Sequence, residues 1–293
     1  MATKIYGIIG DPVEHSLSPV MHNAAFDKLG LDAVYLAFRV PLDEVEVAIK
    51  GAKSLGIQGL NVTIPLKERA LSFVDAEEVA KKIGAINTID FSRGMPAGYN
   101  TDGIGSLKAL KGVVGEIADK SVLILGAGGA AKAISYYLDA EGAKIKIANR
   151  TRERGTRLAS NLRNANSISL GVEFKKQIKD SDILINTTSV GMHPNEDATL
   201  VTADLMHPEL VVFDIVYNPM ETKLLKEAKR AGVKKIVDGV KMLVYQGAAS
   251  FRIWTKREPP VEVMEKAVRD ALRTGLNIRT KSIITPRSSD EKL

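Results

Sequence analysis

The sequence predicts an α/β fold with two α/β domains and a cleft between them. Strand-like and helix-like segments alternate along almost the whole chain, and this alternation is typical of mostly parallel sheets covered by helices. The chain has 293 residues, enough for two domains that each bury a core. Its two final helices are too few to form a domain and should pack on the first region. We therefore expect a discontinuous first domain of residues 1–103 plus 241–293, and a second domain of residues 104–240.

Turn signals delimit the predicted elements of the first region. Ser18 is a candidate cap for one helix and Gly30 its end, Gly56 ends the next helix, and Pro65 suits the first turn of a third. In chain order the elements are strand 5–10, helix 19–29, strand 33–40, helix 42–55, strand 57–62, a helix that starts at Pro65, helix 75–83, strands 85–90 and 95–99, and helix 103–111.

Short apolar runs predict the strands of the second region, with helices between them. The strands are 122–125, 144–148, 183–186, 211–215 and 234–237, and after Gly239 two helices are expected at 242–255 and 260–273. About the last dozen residues are polar and charged, which is typical of a frayed tail.

A glycine-rich segment, Gly-Ala-Gly-Gly-Ala-Ala at 126–131, follows the strand 122–125. Unpaired backbone N–H groups and the positive end of a helix dipole at such a turn favour a pyrophosphate, and a glycine lets the phosphate approach closely. Similar turns also occur as plain packing, so the motif needs a strand–helix–strand context. The strand 144–148 supplies that context, and the sequence therefore predicts a Rossmann-type dinucleotide-binding domain.

The end of the next strand predicts which dinucleotide binds. A residue about twenty positions past the glycines contacts the adenosine ribose, and an acidic residue there suits NAD. This chain instead places Asn149, Arg150, Thr151 and Arg154 there. Guanidinium groups bind phosphate in a forked geometry, which favours NADP. The alternative is a solvated basic helix start, although positive charge there opposes the helix dipole.

Composition and charge exclude several classes of function. The chain contains no cysteine, which excludes disulfides and thiolate chemistry, and its four histidines have no metal-ligand spacing. The net charge of +6 is modest and scattered, without a basic stripe for nucleic acid. No apolar run approaches the ~20 residues of a membrane span, and the first residues lack a signal-peptide layout. We expect a cytoplasmic protein with a small-molecule substrate and no metal, nucleic acid or membrane partner; a monomer and a homodimer both remain open.

Three polar clusters follow predicted strands, where ligands bind in open α/β sheets. Ser16 and Ser18 can donate jointly to a carboxylate, although Ser18 also suits capping. Lys67 is a candidate general acid/base, with a solvated surface charge as the plainer alternative. Asp102 lies between the two regions, where it could orient a lysine and a substrate hydroxyl or simply cap the next helix.

Nine segments resemble, in the same order, motifs of the shikimate dehydrogenase family. They are G-x-P-x-x-H-S-x-S-P-x-x-H-N (10–23), N-V-T-I-P-x-K (61–67), G-A-I-N-T (84–88), N-T-D-G-x-G (100–105), G-A-G-G-A-A (126–131), N-R-T (149–151), N-T-T-S-V-G-M (186–192), D-I-V-Y-N-P (214–219) and Gly239 through Gln246-Gly247. The match extends to about residue 260. Lys132 stands where the family often has arginine, and residues 255–259 lack the glycine common after the tryptophan.

The resemblance implies reversible NADPH-dependent reduction of 3-dehydroshikimate to shikimate, in aromatic amino acid biosynthesis. It implies that Lys67 and Asp102 form the catalytic pair and that Ser16 and Ser18 hold the substrate carboxylate. It assigns the substrate hydroxyls to Thr63, Asn87, Asp102, Tyr217 and Gln246. It assigns the cofactor to Gly126, Ala127, Gly128, Gly129, Ala130, Asn149, Arg150, Thr151, Arg154, Ile215, Gly239 and Met242, with Glu78 a poor match near the nicotinamide.

Two alternatives stand beside this interpretation. A quinate/shikimate dehydrogenase with broader substrate and NAD use is one, and Arg150 and Arg154 argue against its use of NAD. A non-catalytic nucleotide-binding sensor is the other, since fold does not fix function. A sensor should lack Lys67 or Asp102, and both are present.

Overall fold

The computed structural model of the chain describes residues 2–274, in which the strands form two six-stranded sheets flanked by helices. The strands are β1 (Lys4–Gly10), β2 (Ala33–Arg39), β3 (Gly59–Val62), β4 (Asp75–Ala76), β5 (Thr88–Asp90), β6 (Ala97–Tyr99), β7 (Ser121–Leu125), β8 (Lys144–Ala148), β9 (Ala165–Ile168), β10 (Ile183–Asn186), β11 (Val211–Asp214) and β12 (Lys235–Val237). This arrangement confirms the predicted α/β fold with two α/β domains.

The helices cover these sheets and connect their strands. They are α1 (Ser18–Lys28), α2 (Val45–Ser54), α3 (Glu78–Ile83), α4 (Asp102–Val114), α5 (Gly129–Ala140), α6 (Arg152–Ala159), α7 (Val172–Lys179), α8 (Lys223–Arg230), α9 (Gly239–Thr255) and α10 (Val261–Thr274), with 3₁₀ turns at Leu42–Glu44, Arg69–Phe73 and Ala203–Leu205. No helix within residues 2–274 is both long and apolar enough to cross a membrane. The predicted frayed tail lies outside the described residues.

The first sheet is mixed, with the strand order β2-β1-β3-β5-β6-β4. The pairs β1–β2, β1–β3 and β4–β6 are parallel, whereas β3–β5 and β5–β6 are antiparallel. The register pairs Asn61 with Thr88, and Thr88 with Tyr99. Three short segments that are distant in sequence therefore meet in one region of this sheet.

The second sheet is entirely parallel, with the strand order β12-β11-β10-β7-β8-β9. Its central strand β7 is buried on both faces, which explains the continuous apolar run 122–125. The chain proceeds outward from β7 to β9 on one side and then returns to β10 on the other. Ligands bind in open α/β sheets at the crevice that this reversal opens beside the carboxyl ends of the strands.

Helix α9 passes from the second sheet to the first. Met242, near its start, is buried in the core of the second sheet, whereas Phe251 and Trp254 pack with Tyr6 and Phe26 under the first. The indole N–H of Trp254 donates to the carbonyl of Ile89 at 2.9 Å, which satisfies the one polar atom of a buried aromatic ring. Helix α9 thereby packs against both sheets.

Two predicted helix starts were wrong: the one capped by Ser18 and the one at Pro65. Leu17 occupies the cap position of α1, and Ser18 makes no cap bond and lies inside the first turn. Residues 64–68 form a turn rather than the start of a helix. The carbonyl of Lys67 accepts from the N–H of Ile86 at 3.0 Å, so it is engaged by a neighbouring loop and not by a helical N–H.

Two strands were also missed. The predicted helix 75–83 begins only at Glu78, because Asp75–Ala76 pairs with β6 and the N–H of Glu77 donates to the carbonyl of Gly98. Strand β9 has the sequence Ala-Asn-Ser-Ile at the edge of the second sheet. Such a short, polar strand lacks the apolar run by which the other strands of that sheet were predicted.

Candidate active site

Lys67 and Asp102 form an ion pair between the two sheets. Lys67 lies in the turn after β3 and Asp102 is the first residue of α4. The Nζ of Lys67 lies 2.5 Å from Oδ2 of Asp102, and the side chains are 16% and 4% exposed. This degree of burial keeps the pair out of bulk solvent, where an ion pair contributes little. The structure thus brings together the two residues that the sequence singled out for proton transfer.

Asn87 holds the other carboxylate oxygen of Asp102. Its Nδ2 donates to Oδ1 of Asp102 at 2.8 Å, and its Oδ1 accepts from the backbone N–H of Thr101 at 2.7 Å. A backbone N–H can only donate, so Thr101 fixes which end of the Asn87 amide faces Asp102. Both oxygens of the carboxylate are therefore oriented, one by Lys67 and one by Asn87.

Asn100 and Gln246 complete the surroundings of this pair. The backbone N–H of Asp102 donates to Oδ1 of Asn100 at 3.1 Å, and the Asn100 amide donates to the carbonyl of Ala85 at 2.9 Å. Oε1 of Gln246, on α9, accepts from Nδ2 of Asn87 at 3.2 Å. Asn100 appeared in the sequence within a motif but without a role, and an asparagine two residues before a helical aspartate is the signal for such a local turn.

Ser16, Ser18 and Tyr217 form a second polar group. Oγ of Ser16 accepts from the N–H of Ser18 at 3.3 Å. Burial raises the pKa of Tyr217, while hydrogen bonds with the Leu17 backbone and the Ser16 side chain lower it. Tyr217 therefore reaches from the loop after β11 to the loop before α1.

Thr63 lies at the end of β3 beside the loop after β1. Its N–H donates to the carbonyl of Ile9 at 2.9 Å. A β-carbon on Gly10 would lie 2.4 Å from Cγ2 of Thr63, so a glycine is required where these loops cross. Thr63 is thereby held on the same loop as Lys67.

Buried Asp214 fixes the loop that carries Tyr217. Its side chain accepts from Nδ2 of Asn186 at 3.0 Å, from the N–H of Val216 at 3.1 Å and from Oγ1 of Thr222 at 2.6 Å. Burial raises the pKa of Asp214 to about 6, and these hydrogen bonds limit the rise. The motif segments that contain Asn186 and Asp214 thus act as structural supports.

The glycine turn follows β7 at the reversal of the second sheet. Gly126 has φ +109, and a β-carbon there would lie 2.6 Å from Oγ1 of Thr187. Gly128 precedes α5, and a β-carbon on it would meet nothing within 4 Å. A β-carbon on Gly129 would lie 3.4 Å from the Lys67 stem. Ala127 is buried and Ala130 is partly exposed, and the first amides of α5 have no acceptor within the helix.

The strand end after β8 is open and basic. Nδ2 of Asn149 donates to the carbonyl of Thr151 at 2.7 Å, which shapes the turn into α6. Arg150, Thr151 and Arg154 are exposed. The two guanidinium groups therefore extend away from the core at the position where the adenosine end of a dinucleotide binds.

Ile215, Gly239 and Met242 surround the junction between β12 and α9. A β-carbon on Gly239 would lie 2.5 and 2.6 Å from the carbonyl oxygens of Val216 and Ile215. Asp238 caps α9 by accepting from the N–H of Lys241 at 3.1 Å. Met242 packs with Ile215 in the core of the second sheet. The junction is consequently close-packed, backbone against backbone.

Two charged residues that fitted the resemblance poorly have other partners. Glu78 pairs with Lys81 at 3.1 Å and its side chain is 77% exposed. Lys132 of α5 pairs with Glu68 of the Lys67 turn at 2.8 Å, so it links the two sheets beside the cleft. Within residues 2–274, no group of three or more histidine and carboxylate side chains is placed to hold a metal ion.

Fold and site together define a class. The second, parallel sheet, with a glycine turn at its reversal, faces a Lys–Asp pair held by the first, mixed sheet. This is the architecture of a two-domain, dinucleotide-dependent α/β oxidoreductase.

Comparisons with known proteins identify the family. Family models match as "Shikimate dehydrogenase substrate binding domain" over residues 8–89, "Shikimate / quinate 5-dehydrogenase" over 108–229 and "Shikimate 5'-dehydrogenase C-terminal domain" over 239–269. A protein of Methanococcoides burtonii named shikimate dehydrogenase (NADP(+)) is 55% identical over 269 residues, which cover 92% of this chain and 98% of that protein. The chain belongs to the shikimate dehydrogenase family.

Solved structures agree with this assignment. A shikimate dehydrogenase crystallised in complex with NADP+ has a TM-score of 0.87 at 44% identity, over 93% of this chain and 98% of that one. A shikimate 5-dehydrogenase from Thermus thermophilus, in complex with NADP(H) and shikimate, has a TM-score of 0.84 at 37% identity, over 92% of this chain and 100% of that one.

Proposed function

We propose that this protein catalyses the reversible NADPH-dependent reduction of 3-dehydroshikimate to shikimate, a reaction of the shikimate pathway. The family and its NADP-dependent relatives support the reaction and the cofactor. The structural observation that carries the proposal is the Lys67–Asp102 pair at 2.5 Å, held directly beside the glycine turn. A proton donor and a dinucleotide turn that share one cleft suit the reduction of a carbonyl.

The residues of the second sheet fit a dinucleotide phosphate. Gly128 leaves open space where a side chain would stand, next to the unpaired amides at the start of α5. Arg150 and Arg154 would hold a 2′-phosphate, with Asn149 and Thr151 shaping the turn. Ile215, Gly239 and Met242 would form the wall on the nicotinamide side. Bound NADPH supplies the hydride that reduces the carbonyl carbon.

Lys67 is the proposed general acid. As an ammonium it donates a hydrogen bond to the carbonyl oxygen of 3-dehydroshikimate and stabilises the negative charge that develops there. It then gives its proton to that oxygen, and in the reverse direction it takes the proton from the hydroxyl of shikimate. Asp102 contacts Nζ directly and orients it toward the substrate.

The remaining polar side chains are proposed to orient the substrate. Ser16 and Ser18 donate to its carboxylate, because two hydroxyls near the start of α1 can each donate a hydrogen bond to an anionic oxygen. The hydroxyls of the substrate are held by Thr63, Asn87, Asp102, Tyr217 and Gln246. Tyr217 comes from a loop of the second sheet and Gln246 from α9, so substrate binding requires both parts of the chain, and hydride transfer requires that the cleft be closed around the reactants.

We also place the enzyme in the cytoplasm, to which the absence of cysteine is suited. Monomer and homodimer are both compatible with the proposed site, because every residue assigned to it comes from one chain.

The test is an assay of NADP+ reduction with shikimate, followed by the absorbance of NADPH, for the wild type and Lys67→Ala. Removing a general acid typically costs about 10²–10⁴ in rate, and binding of NADPH, measured by fluorescence, should persist. Lys50→Ala is the matched control, since Lys50 pairs with Glu46 on the surface of α2. It should retain full activity.

Assays with quinate and with NAD+ decide between the alternatives. Equal turnover of quinate or NAD+ would replace the proposal by a quinate/shikimate dehydrogenase of broader use. Binding of NADPH without turnover of any combination of substrate and cofactor would favour a nucleotide-binding sensor.

A further inference from the structure

We propose that Ser250 is a positioning residue for the catalytic carboxylate, acting through Asn87. The proposal rests on the function given above. Ser250 is fully buried in α9 and follows Gln246 by four residues, on the same face of the helix. Its position in the sequence does not mark it as part of the site.

The hydroxyl of Ser250 has three side-chain partners. Its Oγ lies 2.7 Å from Oγ1 of Thr88, 3.0 Å from Nδ2 of Asn61 and 3.1 Å from Oγ1 of Thr101. These partners come from β3, β5 and the residue before α4. Ser250 therefore joins α9 to three segments of the first sheet and its connections.

Each of these three partners also bonds Asn87. Thr88 and Thr101 lie 3.0 and 3.1 Å from Oδ1 of Asn87 through their hydroxyls, and Nδ2 of Asn61 donates to the backbone carbonyl of Asn87 at 3.0 Å. Asn87 in turn donates to Oδ1 of Asp102. Ser250 thus contacts both threonine hydroxyls that bond the Asn87 side chain and the asparagine that bonds its backbone carbonyl.

Donor and acceptor capacities assign a specific task to Ser250. Oδ1 of Asn87 has two acceptor positions, and the N–H of Thr101 fills one at 2.7 Å. Only one of the two threonine hydroxyls can donate to the remaining acceptor position of Oδ1 of Asn87. The second threonine hydroxyl and Nδ2 of Asn61 fill the two acceptor positions of Ser250, whose own proton is donated to the carbonyl of Gln246 at 3.1 Å.

Loss of the Ser250 oxygen would remove an acceptor from the threonine hydroxyl, whereas Nδ2 of Asn61 would keep the Asn87 carbonyl at 3.0 Å and Oγ1 of Thr88 at 3.1 Å. The displaced threonine hydroxyl would compete with its neighbour for Oδ1 of Asn87, and a buried donor without a partner is costly. The Asn87 amide would keep its bond from the Thr101 N–H but would shift as the two hydroxyls compete for its oxygen, which would weaken the bond that orients Asp102. Binding of NADP+ would be unaffected, because none of these residues belongs to the second sheet.

Ser250→Ala tests this role, with Ser135→Ala as the matched control. Ser135 is equally buried, and its hydroxyl also donates to the carbonyl four residues earlier in its helix, at 2.7 Å. We expect Ser250→Ala to lower kcat for shikimate by about tenfold with an unchanged KM for NADP+, and Ser135→Ala to retain the wild-type kcat.

A double variant separates positioning from general loosening. If Ser250 acts through Asn87, then Ser250→Ala/Asn87→Ala should have the same kcat as Asn87→Ala alone. The proposal would be overturned if the double variant lost kcat by the product of the two single losses, or if Ser250→Ala kept the wild-type kcat.

A measurement that does not depend on turnover tests the positioning role of Ser250 separately from the proposed reaction. In heteronuclear NMR, the side-chain amide signals of Asn87 should shift in Ser250→Ala and stay in place in Ser135→Ala. An unmoved Asn87 amide would overturn the positioning role even in an active enzyme. A wild type that fails to oxidise shikimate would overturn the reaction while leaving the NMR test intact.

Discussion

Gly129 faces the aliphatic stem of Lys67: a β-carbon on this glycine would lie 3.4 Å from both Cβ and Cδ of the lysine. The glycine turn of the second sheet and the proposed acid of the first therefore lie next to each other. Lys132, one turn along the same helix, pairs with Glu68 next to Lys67. Helix α5 and the Lys67 turn are consequently close together at this point, and the position of α5 bears on the position of the lysine.

Gly129→Ala should lower kcat while leaving the fold stable. At 3.4 Å the added methyl is in ordinary contact, so the protein should tolerate it, but the methyl would restrict the stem of Lys67 against the cofactor turn. We expect a loss of roughly tenfold in kcat, because small displacements of reacting groups are costly. The measurement is steady-state kinetics together with a thermal melt.

Gly112→Ala is the control for that variant, since a β-carbon on Gly112 in α4 would meet nothing within 4 Å. It should keep the wild-type kcat and melt slightly higher, because alanine favours a helix. A Gly129→Ala enzyme with wild-type kinetics would show that the contact has no catalytic consequence.

Gly239→Ala should destabilise the protein. Its β-carbon would lie 2.5 Å from the carbonyl oxygen of Val216, and backbone atoms on both sides cannot move aside as a side chain can. Overpacking of this kind costs about 1–3 kcal/mol. Chemical denaturation should reveal a lower free energy of unfolding, whereas Gly51→Ala in α2, which meets nothing within 4 Å, should be neutral or stabilising. Equal stability of the two variants would contradict the close packing at this junction.

Arg154→Glu should reduce the preference for NADP+ over NAD+. The substitution places a negative charge near the proposed 2′-phosphate and removes a charge-assisted hydrogen bond, worth about 1.5–3 kcal/mol. The ratio of kcat/KM for the two cofactors should therefore fall by roughly tenfold or more. Arg157→Glu changes the same charge one turn further along α6, where residue 157 is also exposed. An equal fall in both variants would indicate a long-range charge effect rather than a contact.

The second sheet could be predicted almost completely from the sequence because buried parallel strands are continuous apolar runs. Strand β9 escaped because it is polar and lies at an edge. Lys67 and Asp102 could be singled out because each follows a strand-like segment by a few residues. Their separation of 2.5 Å could not be predicted, since it depends on how β3, β5 and β6 pair within the first sheet.

The support behind the catalytic pair carried no local signal. Ser250 and Thr88 are 162 residues apart in the chain, and a single serine in an apolar helix does not stand out by periodicity. Ser18 illustrates the opposite error: its sequence context favours a cap, yet the helix starts one residue earlier and the side chain is buried. In both cases tertiary packing decides the partner of a short polar side chain.

His22 should make the stability of the protein fall as the pH falls. Its ring is fully buried and stacked on Tyr35, with centroids 4.4 Å apart, and within residues 2–274 neither ring nitrogen has a hydrogen-bond partner. Burial lowers the pKa of His22 to about 3. Below the ordinary pKa of about 6.5 the unfolded chain binds a proton that the folded protein excludes, so stability declines by about 1.4 kcal/mol per pH unit until the folded pKa is reached.

The measurement is the free energy of unfolding of the wild type and His22→Phe at several values between about pH 6 and about pH 4. Asp214 acts with the opposite sign, because its pKa is raised to about 6 and the folded state then holds the extra proton; its contribution is common to both proteins and cancels in the difference. The difference in slope should therefore be about 1.4 kcal/mol per pH unit, with the wild type steeper. Parallel slopes would mean that His22 is protonated in the folded protein, which requires a partner for its ring that the stacked geometry does not provide.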